Sequence, residues 1–118
     1  MPSQALRVVL HLDKGLKEIV DAGDVYYFEA AGPDTRVRLG GRRLRREVRT
    51  LGEIERLLGG RGFFRTSRSH LVNLSRIRFL RRREEGDGWE IKLEPPVNAV
   101  LPVSQRKLTA LTRALEGR

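Results

Sequence analysis

Residues 63–77, Phe-Phe-Arg-Thr-Ser-Arg-Ser-His-Leu-Val-Asn-Leu-Ser-Arg-Ile, constrain the fold more than any other stretch. Adjacent phenylalanines are too apolar for a surface loop, so Phe63 and Phe64 dock against a core. Leu71-Val72-Asn73-Leu74 returns to the spacing of a buried segment. Between them, Arg65-Thr66-Ser67-Arg68-Ser69 carries two guanidinium forks among three short hydroxyls, the chemistry that meets phosphates and base edges. A strand–loop–strand whose polar loop is held at both ends satisfies these demands. Binding function sits on such loops when a rigid scaffold presents them. The same composition also suits a connection whose arginines are only solvated.

The rest of the chain repeats the theme of short β-prone runs cut by turn chemistry. Leu6–Leu12 reads as a strand and Leu16–Val20 as its partner, joined through Asp13-Lys14-Gly15. Val25–Ala30 is aromatic and β-prone, with its tyrosines assigned to packing. Pro33, between Gly32 and Asp34, stops that strand because it lacks an N–H to donate. Arg36–Leu39 and Arg42–Val48 then form a hairpin across Gly40-Gly41, with a dense set of guanidinium groups on one side. Thr50 and Glu53 make a capping box for a helix carrying Leu51, Ile54, Leu57 and Leu58, which Gly59-Gly60 ends. His70–Leu80 reads as one long strand anchored by Leu71, Ile77 and Phe79, with Asn73 satisfying backbone groups. Trp89–Leu93 alternates, with Trp89 on the core face. Val97–Leu101 is a further strand after Pro95-Pro96. Ser104 caps a last helix with the stripe Leu108, Leu111, Leu115, and Val103 with Leu108 forms a hydrophobic staple.

Charge is unevenly placed. The 118 residues have a net charge of +9, but residues 36–83 hold sixteen arginines against three glutamates, a net of +13. Residues 1–35 carry a net of −3 and residues 84–118 a net of −1. A polyanionic partner follows from that asymmetry, although a solubilising surface or an arginine-rich codon usage would share part of it. The hydrophobic fraction of 39% argues against wholesale disorder. Cysteine is absent, which rules out disulfide and thiolate chemistry and fits a reducing cytoplasm. No apolar run approaches the roughly 20 residues that span a bilayer, and residues 1–5 carry no export signal.

The stretch Phe64-Arg65-x-x-Arg68-Ser69-x-Leu71-Val72-Asn73-Leu74 resembles the central signature of the LytTR family of bacterial DNA-binding domains. There, phenylalanine and arginine lead through His-Arg-Ser-Tyr into Leu-Val-Asn; here Ser67 stands for the histidine and His70 for the tyrosine. The flanking pieces are similar in order too. These are the aromatic strand ending in Glu29-Ala30, the Thr50-Leu51 helix, and Leu101-Pro102-Val103-Ser104-Gln105 against the family's Leu-Pro-Val-Ser-Arg. The resemblance implies a mainly β fold over residues 1–118, a single domain. It would be an elongated stack of antiparallel β-sheets with a short helix near 51–58 and a C-terminal helix near 105–116. It also implies that loops enter the major groove of duplex DNA. Carried over by position, the contacts fall on Thr35 and Arg36, Arg68 and Ser69, and Gln105 and Arg106. Arg68 is the expected base-edge reader, since arginine pairs bidentately with guanine. Arg65, Arg38 and Arg45 are expected at phosphates. Gln105 replaces an arginine, which alters the base preference there. Members of the family act in transcriptional regulation, commonly as homodimers on paired repeats. The domain usually follows a receiver, sensor or membrane segment, none of which lies in this sequence.

Other functions fit less well. No HExxH, CxxC, phosphate-cradling glycine loop or G-x-S-x-G is present, and His11 and His70 lie far apart, so no catalysis, metal or cofactor is expected. Single-strand and RNA binders expose stacking aromatics, whereas most of the seven aromatics here are committed to packing. A basic module for RNA or another polyanion, without base specificity, remains the alternative.

Overall fold

The computed structural model describes residues 6–117. In chain order its elements are β1 (Arg7–His11), β2 (Lys17–Asp21), β3 (Val25–Ala31), β4 (Asp34–Leu39), β5 (Leu44–Glu47) and α1 (Leu51–Leu58). They continue with β6 (Phe63–Ser67), β7 (His70–Asn73), β8 (Ile77–Arg82), β9 (Trp89–Leu93), β10 (Val100–Val103) and α2 (Leu108–Glu116). The strands form three antiparallel sheets: β1–β2, the central β5–β4–β3–β7–β6, and β10–β9–β8. This is the mainly β stack, with two helices, that the sequence implies.

The β3–β7–β6 part of the central sheet is covered on both faces, which explains its apolar runs without alternation. Phe63, Leu71, Val25 and Phe28 point into a first core closed by β1, β2 and α1 through Val8, Leu10, Val20, Leu51, Ile54 and Leu58. Phe64, Val72 and Tyr26 point the other way, into a second core with Ile91, Leu93, Leu101, Val103 and Leu111. Adjacent phenylalanines therefore serve opposite layers, as period-2 strand geometry demands. Trp89 packs on the second core as expected, and the Tyr26 hydroxyl donates to Pro95 O at 3.1 Å.

Local chemistry sets the ends. Thr50 and Glu53 close the capping box of α1. At its other end a Cβ on Gly59 would lie 2.7 Å from Glu55 O, so the exit requires glycine. Gly32 turns the β3–β4 hairpin at φ +64°, a left-handed value that side chains disfavour.

Several expectations are corrected. His70 to Leu80 is not one strand: a single 3₁₀ turn at Leu74–Arg76 breaks it. There the chain leaves the central sheet for the third one, and Asn73 makes the transfer. Its Nδ2 donates to Ala22 O (3.0 Å) and Val25 O (2.9 Å), while its Oδ1 accepts from Ser75 N and Oγ. Asn73 thus satisfies backbone groups, as anticipated. Phe79 lies on the open face of β8 at 48% exposure and anchors nothing. The β4–β5 connection spans four residues, with Leu39 N donating to Arg43 O, so β5 starts only at Leu44. The strand expected at Val97 begins at Val100, because Asn98 adopts a left-handed turn conformation at φ +54°. The last helix is preceded by a 3₁₀ turn at Gln105–Lys107, and the Ser104 side chain makes no capping bond; its carbonyl accepts from Lys107 N instead. Val103 and Leu108 do share the second core.

Candidate nucleic-acid interface

Three segments singled out in the sequence meet at one end of the central sheet. The β6–β7 turn, Arg68-Ser69, lies beside the β3–β4 hairpin, where Ala30 N donates to Ser69 O at 2.9 Å. On its other side, Ser104 N donates to Thr66 O at 2.8 Å, tying the entry of α2 to β6. A cleft of about 210 Å³ opens between the turn and that entry, lined by Ser67, Arg68, Ser104, Arg106 and Lys107 together with Arg65 and Glu55.

Arg65 shapes the turn. Its Nε donates to Ser67 O (2.9 Å), its Nη2 to Arg68 O, and its Nη1 to Glu55 Oε1 (2.6 Å) on α1. With its donors directed inward, Arg65 is a clamp for the turn rather than the free phosphate contact expected of it. The clamp turns the Arg68 carbonyl inward and leaves the Arg68 side chain exposed. Ser69, Gln105 and Arg106 are exposed as well. Among the described residues, Arg68, Arg106 and Lys107 enter no ion pair.

The hairpin arginines are placed differently. In β4, alternation sends Arg36 and Arg38 to the outer face and Thr35, Val37 and Leu39 inward. Thr35 is 0% exposed and its hydroxyl donates to Arg49 O at 2.8 Å. Its expected place at the DNA surface is therefore corrected: the side chain is a buried link. Arg36 pairs with Glu29 at 3.0 Å, and Arg46 with Asp34. Arg38 donates to Gly41 O (2.7 Å) and Leu39 O (3.3 Å), bracing its own turn. Arg45 faces the inner side, opposite Val37, and reaches Glu18 on β2 at 2.7 Å. The hairpin thus presents Arg36, Arg38 and Arg46 on its outer face, not all its arginines.

Behind them is a buried ion pair. Glu47, 0% exposed, accepts from His11 N (2.7 Å), Arg49 N (2.9 Å) and the Arg49 guanidinium at 2.8 and 3.1 Å. Burial pushes its carboxyl up, but the Arg49 side-chain bonds, the two backbone N–H groups and the guanidinium charge outweigh it and hold the carboxyl below its ordinary range.

Sequence reasoning missed Glu29 and the role of His70. His70 is 6% exposed; its Nδ1 lies 3.2 Å from Ser67 Oγ and its Nε2 3.1 Å from Glu29 Oε2. Glu29 was legible as the lone acid at the end of the aromatic strand, facing an arginine-rich segment. Tyr27 stands edge-on to His70 at 5.9 Å; burial first, then the Glu29 charge, push its phenol up. Grouped as it is, this chemistry can hold anions and hydrogen-bond base edges. Among the described residues, no cluster of three His, Cys, Asp or Glu could hold a metal. No helix there is long and apolar enough to cross a membrane.

A stacked antiparallel fold with exposed cations on turns and at a helix entry defines a β-scaffold protein that presents basic loops. The chain belongs to the LytTr DNA-binding domain family, whose model matches residues 17–116. Among solved structures it is similar to the LytTr DNA-binding domain of a protein described as a methyl-accepting/DNA response regulator from Bacillus cereus. The two share 26% identity over 95% of this chain and 97% of that one, with a TM-score of 0.71. No curated protein matches the chain.

Proposed function

We propose that residues 1–118 are one sequence-specific duplex-DNA-binding domain acting in transcriptional regulation. Family membership supports DNA binding. The observation that carries the finer reading is the convergence of the Arg68-Ser69 turn, the Gln105-Arg106 entry and the β3–β4 hairpin at one end of the sheet. Arg68 is the base reader: its side chain is exposed and, among the described residues, in no ion pair, and Arg65 holds the turn beneath it. Gln105 and Ser69 supply shorter hydrogen-bonding groups beside it, suited to adenine edges or phosphate oxygens. Arg106, with Lys107, contacts phosphate, and Arg36 and Arg38 extend the track along the hairpin. Binding as a homodimer on paired repeats, under a receiver or sensor module, completes the reading.

The deciding experiment is selection of random duplex DNA by the purified protein at near-physiological salt, with excess competitor. A recovered repeated motif supports sequence-specific reading, and its spacing gives the dimer geometry. Unbiased recovery, with RNA bound equally well, would replace this reading with a basic polyanion-binding module.

A further inference from the structure

We propose that Ser67, His70 and Glu29 form a hydrogen-bonded strut that fixes the β6–β7 turn against the β3–β4 hairpin, making His70 a positioning residue for both loops. The inference rests on the DNA-reading function proposed above and assigns the group that sets the spacing of its parts.

The chain of donors and acceptors is continuous. A carboxylate only accepts, so the Glu29 contact at 3.1 Å requires a proton on His70 Nε2. In the neutral ring Nδ1 is then an acceptor, filled by the Ser67 hydroxyl at 3.2 Å. Ser67 Oγ in turn accepts from Ser69 N at 3.2 Å, inside the turn that carries Arg68. At the other end, Glu29 Oε1 accepts from Arg36 Nη1 at 3.0 Å. One row of bonds thus runs from the Arg68-Ser69 turn to the Arg36 guanidinium. Its centre is buried while its ends are open: the Arg36 side chain is 54% exposed. A buried imidazole with both nitrogens engaged cannot tilt without orphaning a partner, so it transmits position between the ends.

Serine, imidazole and carboxylate in a row are also the parts of a nucleophilic triad, but Ser67 Oγ is engaged by Ser69 N–H and the row ends on an arginine salt bridge. That order suits holding rather than attack. Ser67 and His70 are, moreover, the two positions where the stretch departs from the family signature, and they are bonded to each other. The two replacements form a matched pair that keeps the turn tied down.

The test is a mutant cycle read as discrimination, the ratio of affinities for the selected and a random duplex. Ser67→Ala and Glu29→Ala cut opposite ends of the strut and do not touch one another. Each should lower discrimination, and the double variant should lose roughly tenfold less than the product of the two losses, a coupling usual within one network. In a His70→Phe background the coupling should vanish, while His70→Gln, which keeps one donor and one acceptor, should retain much of the discrimination. Independent, multiplying losses with His70 in place would overturn the strut, as would full discrimination in a folded His70→Phe protein. Should His70→Phe not fold, the Ser67–Glu29 cycle decides alone. Amide exchange separates this failure from failure of the DNA reading. Faster exchange at Ser69 and Ala30 in the Ser67→Ala and Glu29→Ala proteins, with α2 unchanged, supports the strut even where the wild type discriminates no duplex and the cycle cannot be read; unchanged exchange there overturns it.

Discussion

The β4–β5 hairpin and the β6–β7 turn are both rich in arginine, yet they distribute its ion pairs differently. In the hairpin region Arg36, Arg45, Arg46 and Arg49 each pair with a carboxylate, from Glu29, Glu18, Asp34 and Glu47 in turn. At the turn, Arg65 spends its donors on carbonyls and Glu55, and by doing so leaves Arg68 outside. Across the cleft Arg106 and Lys107 are likewise free of ion pairs among the described residues. Counting charge by segment therefore overstates how much of the hairpin's charge is unpaired. An arginine already paired gains less from a phosphate than an unpaired one, so under the DNA-binding function proposed above the unpaired arginines are expected to contribute most.

The comparison can be broken at four places. The largest effect is on stability: Glu47→Ala removes the acceptor for the Arg49 guanidinium and two backbone N–H groups, and should cost about 3–5 kcal/mol in denaturant unfolding. The same carboxyl sets a pH dependence. Its folded value is lowered, so its contribution is complete above the unfolded carboxylate value of about 4.3. That contribution is lost as pH falls through the lower folded value. Unfolding measured from neutral to acidic pH should show a smaller acid loss in Glu47→Ala than in the wild type.

Next in size, Arg68→Ala should reduce discrimination between selected and random duplexes by about 1–3 kcal/mol and leave the unfolding midpoint unchanged. Equal losses on both duplexes would make Arg68 a phosphate contact and erase its contrast with the hairpin.

Thr35→Val probes the buried side of the hairpin. Loss of the hydroxyl bond to Arg49 O should cost about 1 kcal/mol of stability with no change in discrimination. A selective loss of DNA binding would return Thr35 to the interface.

The smallest expected effects compare Arg106→Ala with Arg46→Ala. The first should lower the slope of log affinity against log salt by about 0.9, one phosphate's share. The second should leave the slope unaltered and cost under about 1 kcal/mol in stability, as an exposed pair does. Equal slope changes would mean that the Arg46–Asp34 pair opens on DNA.

Much of the fold was legible because it rests on local chemistry. The capping box at Thr50 and Glu53, the docking of Phe63 and Phe64, the backbone role of Asn73 and the sharing of a core by Val103 and Leu108 all follow from residue type and spacing. The motif around Arg68 pointed to the family. Less legible were the features that depend on which neighbour a strand acquires. His70–Leu80 has the composition of one strand, but it breaks at Leu74–Arg76 because two sheets compete for it. Phe79 looks like an anchor, yet its side chain stands 48% exposed on β8.

By itself, then, the sequence determined the succession of short strands, the positions of both helices and the concentration of arginine in the middle of the chain, since propensity, capping and charge are written residue by residue. Tertiary structure alone decided which arginines remain free, that Thr35 is buried, and that Ser67, His70 and Glu29 meet. His70 Nε2 and Glu29 Oε2 lie 3.1 Å apart across a sequence separation of 41 residues. Such an encounter is set by strand order and register in the central sheet, which no local pattern encodes.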